Sequence, residues 1–169
     1  MTLAELNTLD APVFAAALTG VFEHSPWIVE RTYALRPFES IDALHRALVE
    51  TVTRASADEQ VALLRAHPEL AGKAAIAGEM TAASVGEQAS AGLAACTPDE
   101  FARINELNRR YNVRFGFPFI LAVRGLNRRQ ILNEFARRVE REHHVEFAEG
   151  LAQVAKISRL RLDALLCGD

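Results

Sequence analysis

The sequence predicts an all-α fold, a single compact domain of roughly eight helices spanning residues 1–169. Three observations lead there. Apolar residues recur at helical spacing nearly throughout. Capping residues stand in front of most of those periodic stretches. Strand-type alternation is scarce, and no Asn-Gly or Asp-Gly hairpin signal occurs.

The elements follow in order. A short helix is expected near residues 3 to 7. Asp10 caps the next, which has Pro12 in its first turn and Val13, Phe14, Ala17, Leu18 and Val21 for packing. Ser25-Pro26 opens a short helix carrying Trp27 and Tyr33, and Arg36-Pro37 ends it. Ser40 caps a helix with Ile41, Leu44, Leu48 and Val52 on one face. Asp58 is expected to start another that runs to about Ala66. Thr81 is expected to cap a helix over residues 82 to 92. Thr97-Pro98-Asp99-Glu100 reads as a capping box with proline at the first helical position, and its helix should reach about Val113. Asn127 caps a long helical stretch that ends before Gly168, with a break expected near Gly150.

Composition narrows the function. The balance of 19 basic and 22 acidic residues gives 19 − 22 = −3, with the signs interleaved, so no nucleic-acid footprint is expected. No apolar run approaches the length of a membrane span. Cys96 and Cys167 form no motif and point to a reducing compartment. The first residues lack the basic-then-apolar pattern of a secretory signal, and the last are not a peroxisomal address, so a cytoplasmic protein is expected.

Three stretches carry the chemistry. In Leu63-Leu64-Arg65-Ala66-His67-Pro68-Glu69-Leu70-Ala71, proline pushes His67 out of the helical region. There the partial negative charge of a helix C-terminus favours imidazolium, which can deliver a proton at neutral pH. The plainer alternative is a histidine that caps the last carbonyls. In the second stretch, Ser84, Glu87 and Gln88 share one helix face, with Ala82, Val85 and Ala89 on the other, where they are expected to pack. That polar face holds no lysine or arginine. It suits an anion and a urea or lactam, or else is an exposed surface. The third, Phe115 to Val123, is uncharged, and Gly116 and Pro118 rule out a simple helix. Its backbone N–H groups are free to face a ligand unless neighbours satisfy them.

On the last helix, Val154, Ile157, Leu160, Ala164 and Leu165 read as one apolar stripe. Arg161 lies within it and Arg159 beside Asp163 on the polar side. An arginine there wants a carboxylate, a carbonyl or a substrate, or else snorkels to solvent. Glu87 and a buried backbone oxygen are the protein partners considered. His143-His144, flanked by Glu142 and Glu146, is weighed as a metal site. Neighbouring helical residues point about 100° apart, so the pair chelates poorly. The stretch is read as a charged surface face, with no metal expected.

Taken together, His67-Pro68-Glu69-Leu70-Ala71, Ser84-x-x-Glu87-Gln88-x-x-Ala91-Gly92-Leu93, and Asn108-x-x-Tyr111 followed by Phe115 to Gly125 resemble a known family. It is 2-oxo-4-hydroxy-4-carboxy-5-ureidoimidazoline (OHCU) decarboxylase, and the likeness extends to Arg159-Leu160-Arg161-Leu162. The resemblance implies a cofactor-free all-α enzyme that removes CO2 from the small molecule OHCU and gives (S)-allantoin in urate degradation. It implies His67 as the catalytic acid and Glu87 as its polar partner. Pro68, Ser84, Val85, Gly86, Gln88, the backbone of Phe119, Ile120, Leu121, Ala122 and Val123, and Arg161 fall at substrate-contact positions. Arg114 departs from the lysine expected before Phe-Gly-Phe-Pro. The stretch Arg141 to Glu146 looks atypical and is placed away from the site motifs. A homodimer is left open. The competing reading is a non-catalytic helical module that binds a partner through Phe115 to Val123.

Overall fold

The computed structural model describes residues 1–71 and 82–166. Helices account for its regular structure, and no strand occurs among the described residues. The elements are α1 (Leu3–Thr8), α2 (Ala11–Ala17), α3 (Pro26–Thr32), α4 (Ile41–Thr53), α5 (Ala57–Arg65), α6 (Ala82–Ser90), α7 (Pro98–Phe115), α8 (Arg128–Arg138) and α9 (His143–Leu165). Tyr33–Leu35 and Leu93–Ala95 add single 3₁₀ turns. Among the described residues no helix is long and apolar enough to cross a membrane.

Local chemistry sets the helix starts. Asp10, Ser40, Thr97 and Asn127 each accept the N–H three residues on, satisfying a donor that the helix itself leaves unpaired. Ser25 precedes α3 without a side-chain cap bond. The fifth helix begins earlier than expected. Ser56 caps it and forms a reciprocal box with Glu59, and Asp58 is an acidic residue in the first turn. The sixth ends at Ser90, and its expected cap, Thr81, lies outside the described residues. The expected break at Gly150 is absent, since Gly150 lies inside α9. The interruption falls instead between Arg138 and His143.

Two compact units are resolved, Met1–Ala66 with Ala155–Asp169, and His67–Val154. In the first, Leu6, Phe14, Ile28, Leu44, Leu48 and Leu63 are fully buried. Phe14 meets Tyr33 edge-on at 5.5 Å between ring centroids, and the Arg36 guanidinium lies 3.5 Å from the Tyr33 ring centre. Asn7 clasps Phe38, donating to its carbonyl and accepting from its N–H, both at 2.9 Å.

The C-terminal part of α9 belongs to this unit, and its phase differs from the expected stripe. Val154, Ile157, Ser158, Arg161 and Leu162 are buried, whereas Leu160 is half-buried and Ala164 and Leu165 are exposed. Arg161 does point inward. Its guanidinium donates to Glu23 Oε1 and to the Gly20 carbonyl, each at 2.9 Å. Arg159 pairs with Asp42 and, at 2.9 Å, with Asp163 nearer the surface.

The second unit is built around Tyr111 of α7. Phe115, Phe117, Phe119 and Phe135 surround its ring at centroid distances of 4.5 to 6.0 Å. Gly116 ends α7 with φ 75°, a left-handed value that costs glycine little, and turns the chain into the non-helical segment that follows.

Candidate active site

His67 lies just past the C-terminus of α5, whose cap is Ala66, as the His-Pro break requires. It is buried, with Pro68 half-buried beside it. The turn that follows has four polar anchors. Gln88 Oε1 accepts the Ala71 N–H at 2.9 Å, and Gln88 Nε2 donates to the Glu69 carbonyl at 3.1 Å. Asn108 Nδ2 donates to the Leu70 carbonyl at 2.9 Å, and Asn112 Nδ2 donates to the Glu69 carboxylate. Ala71 itself has φ 47°, a left-handed conformation rare for a residue with a Cβ.

The orientation of α6 is the reverse of what its apolar residues suggest. Ser84 and Gln88 are buried, at 4% and 7% exposure, and Glu87 is half-buried. Val85 is 46% exposed, and Gly86 and Ala89 also face outward. The expected packing of Val85 and Ala89 is therefore corrected. The cause is the turn beside it: a buried non-helical backbone needs hydrogen-bond partners, and the polar face of α6 provides them. The structure thus joins Gln88 to the turn after His67. It leaves the Val85 and Gly86 positions at the surface, so any contact they make with a ligand runs through backbone groups.

Phe117 to Leu121 and Val123 are buried, and Ala122 is half-buried. This is not an exposed apolar surface, and a docking module built on it loses its basis. Three backbone groups of the segment have protein partners, the Val123 carbonyl accepting the Leu126 N–H at 3.0 Å. Arg138 Nη1 donates to the Ile120 carbonyl at 2.9 Å, and the Ala122 N–H donates to Gln153 Oε1 at 2.9 Å. Among the described residues no acceptor meets the N–H groups of Phe119, Ile120, Leu121 and Val123. Helix α7 serves both halves of this unit's site. Asn108 and Asn112 reach the turn after His67, and Tyr111 packs on Phe117 and Phe119.

Behind the segment lies a buried charge network. Arg138 and Glu146 are both at 0% side-chain exposure and form an ion pair, with Arg138 Nε donating to Glu146 Oε1 at 2.7 Å. The Tyr111 hydroxyl donates to the same carboxylate, and Arg141 lies 3.5 Å from it. Burial and the Glu146 carboxylate together push the Tyr111 phenol well above its usual range. The reading of residues 142 to 146 as a charged surface face is therefore wrong for Glu146. His143 stays exposed, as read, with its Nε2 3.3 Å from the Phe115 carbonyl. This stretch supports the Ile120 backbone and is not remote from it.

Arg138, Gln153 and Asn112 were not singled out from sequence, Glu146 only as a flank of the weighed metal pair, and Asn108 only as part of a motif. A signal did exist for some. Asn108 stands in the stripe Ile104, Leu107, Tyr111, Phe115, and Arg138 continues the stripe Ile131, Phe135. A polar residue on a buried stripe must have a partner. Arg161 belongs to the other compact unit, where its guanidinium pairs with the Glu23 carboxylate and donates to the Gly20 backbone carbonyl.

The comparisons with known proteins agree with one another. A family model described as OHCU decarboxylase matches residues 7–163. The 2-oxo-4-hydroxy-4-carboxy-5-ureidoimidazoline decarboxylase of Haloferax volcanii is 41% identical over 162 residues, 96% of this chain and 94% of that protein. The uric acid degradation bifunctional protein PucL of Bacillus subtilis is 39% identical over 161 residues, 95% of this chain and 32% of that longer protein. A crystal structure of (S)-allantoin synthase aligns with a TM-score of 0.80 at 30% identity, covering 99% of this chain and 54% of that one. Since the family match spans nearly all of the sequence and holds at this identity, the chain belongs to the OHCU decarboxylase family.

Proposed function

We propose that this protein decarboxylates OHCU to (S)-allantoin, a step of urate degradation. Beside the family match, one observation carries the reading: α6 turns Ser84 and Gln88 inward, Gln88 against the turn that follows His67, while its apolar Val85 faces solvent. A helix kept for packing alone would present the opposite face.

The chemistry balances without an external electron acceptor. The bond from the ring carbon to the carboxylate breaks and CO2 leaves. Its electron pair enters the ring, where the adjacent C=N accepts it. The ring nitrogen takes up a proton from the acid, the ring hydroxyl becomes a carbonyl as it loses its proton, and the ureido-bearing carbon gains one. The protein must orient the carboxylate, stabilise the developing negative charge and protonate one face. In this reading His67 is the acid and Glu87 its polar partner. Pro68, Ser84, Val85, Gly86, Gln88 and Arg161 contact substrate. The N–H groups between Phe119 and Val123 supply donors for anionic or carbonyl oxygens. The whole chain, 1–169, acts as one functional domain, in the cytoplasm, with a homodimer as the proposed assembly.

The test is direct. Protein is added to freshly generated OHCU, and (S)-allantoin is followed by its circular dichroism. Optically active product forming faster than spontaneous decay is expected. Formation of racemic allantoin at the uncatalysed rate overturns the reading.

A further inference from the structure

We infer that Gln153 and Arg138 are positioning residues that fix one edge of the segment Phe119 to Val123 and thereby reserve its other edge for substrate. The inference rests on the decarboxylase reading above.

In an extended chain a residue's N–H and C=O point to the same edge, and successive residues alternate between edges. The Val123 carbonyl at the end of the segment accepts the Leu126 N–H at 3.0 Å, and the two side-chain hydrogen bonds to the segment fall on Ile120 and Ala122, two residues apart. Both therefore belong to one edge. Phe119, Leu121 and Val123 have the opposite parity, and their N–H groups, like that of Ile120, meet no acceptor among the described residues. An N–H with no protein acceptor in a buried segment is costly unless a ligand or water supplies one. Three such donors on one edge, at a spacing of roughly 6–7 Å between successive ones, suit a ligand rich in oxygen acceptors. Carboxylate, lactam carbonyl and ureido carbonyl are such groups.

The anchors are themselves held. Gln153 is buried, and its Nε2 donates to Glu149 Oε1 at 2.7 Å, so Oε1 is the atom turned to Ala122. Arg138 is fixed by Glu146 on one side and lies 4.5 Å from the centre of the Phe119 ring on the other. The side-chain amide and the guanidinium thus set the rotation of two peptide groups. A peptide that swings by a few tens of degrees takes its donor out of hydrogen-bond range. Neither residue is required to touch substrate.

The experiment compares Gln153→Met with Gln153→Glu. Methionine keeps the size but removes the acceptor for Ala122. Glutamate keeps an acceptor for Ala122 but loses the donor to Glu149 and sets two carboxylates together. A positioning role predicts that activity and stability rank in opposite orders. Gln153→Glu should melt at or below Gln153→Met, yet retain kcat/KM on fresh OHCU within about threefold of wild type. Gln153→Met should lose at least about tenfold. If activity instead follows melting temperature, or if both variants match wild type, the positioning role is overturned while the decarboxylase reading stands. A wild-type protein without turnover overturns both. Should Gln153→Met fail to fold, Arg138→Lys serves as the second variant. It keeps the charge opposite Glu146 but cannot span both the carboxylate and the Ile120 carbonyl, so a raised KM with a folded protein is expected. An unchanged KM and kcat there would equally sink the proposal.

Discussion

The Gln88 side chain and the Ala71 backbone meet at 2.9 Å, where the Gln88 amide oxygen receives the N–H of a residue held at φ 47°. The same amide donates to the Glu69 carbonyl, so one side chain stabilises both ends of the turn that follows His67. That contact sets the first prediction. Gln88→Leu leaves the buried Ala71 N–H and the part-buried Glu69 carbonyl without these partners, the buried one costing about 1–3 kcal/mol. Both melting temperature and kcat/KM should fall. Ala71→Gly should leave stability within about 1 kcal/mol of wild type, because relief of the left-handed strain offsets the added chain entropy. Ala71→Val should be clearly destabilising. Thermal melts of the three variants check this, and an Ala71→Gly protein weaker than Ala71→Val would contradict the turn as described.

His67 is expected to work as an acid. Replacing it with asparagine keeps hydrogen-bonding capacity and removes the titratable proton. The loss in kcat should be on the order of a hundredfold to ten-thousandfold, with the far-UV circular dichroism unchanged. Near-normal turnover in the folded variant would move the acid role to another residue.

How much of this was legible in the sequence depends on the range of the interactions. Asp10, Ser40, Thr97 and Asn127 were readable as caps because a cap needs only the three residues after it. The Ser56–Glu59 box was readable by the same rule, but the acidic Asp58 obscured it. The inward polar face of α6 was not readable. Its partners, Glu69 and Ala71, lie 19 and 17 residues away, and nothing local says that an amide outranks Val85 for burial. The break before α9 was misplaced for a related reason. Gly150 marks a weak helix position, whereas Arg138 to Glu146 is bridged by a buried ion pair that only the fold reveals. For Arg161 the inward direction was legible. Its partner Glu23, 138 residues distant, was not.

Tyr111 offers a pH-dependent test. Its phenol is buried, donates to Glu146 and has its pKa raised. A group whose folded pKa is raised contributes stability that is fully present below the unfolded value, about 10 for tyrosine, and is lost as pH rises towards the folded one. Tyr111→Phe should therefore cost about 1.5–3 kcal/mol near neutral pH, the worth of a hydrogen bond to a charged group. The gap to wild type should narrow above about pH 10. Urea midpoints measured across that range provide the check, and a gap that stays constant into strong alkali would mean that the phenol is not held by Glu146.

The two arginines of α9 separate structure from chemistry. Arg161 and Glu23 are both buried, with side-chain exposures of 6% and 1%. Arg161→Ala therefore strands a carboxylate, and breaking such a pair typically costs about 3–5 kcal/mol. Arg159 pairs with Asp42 and Asp163 at the surface, where its loss should cost no more than about 1 kcal/mol. Stability alone cannot tell whether Arg161 also holds substrate, because an unfolded protein is inactive for trivial reasons. The double variant Arg161→Met with Glu23→Gln resolves this. It removes both charges, so no stranded carboxylate remains, and its melting temperature should recover most of what Arg161→Ala loses. If Arg161 contacts the substrate, kcat/KM stays depressed by at least tenfold in this restored protein, since a charge-assisted contact is worth roughly 1.5–3 kcal/mol. If turnover recovers together with stability, Arg161 serves only to tie α9 to Glu23 and Gly20, and charge stabilisation passes to the N–H groups of Phe119, Leu121 and Val123.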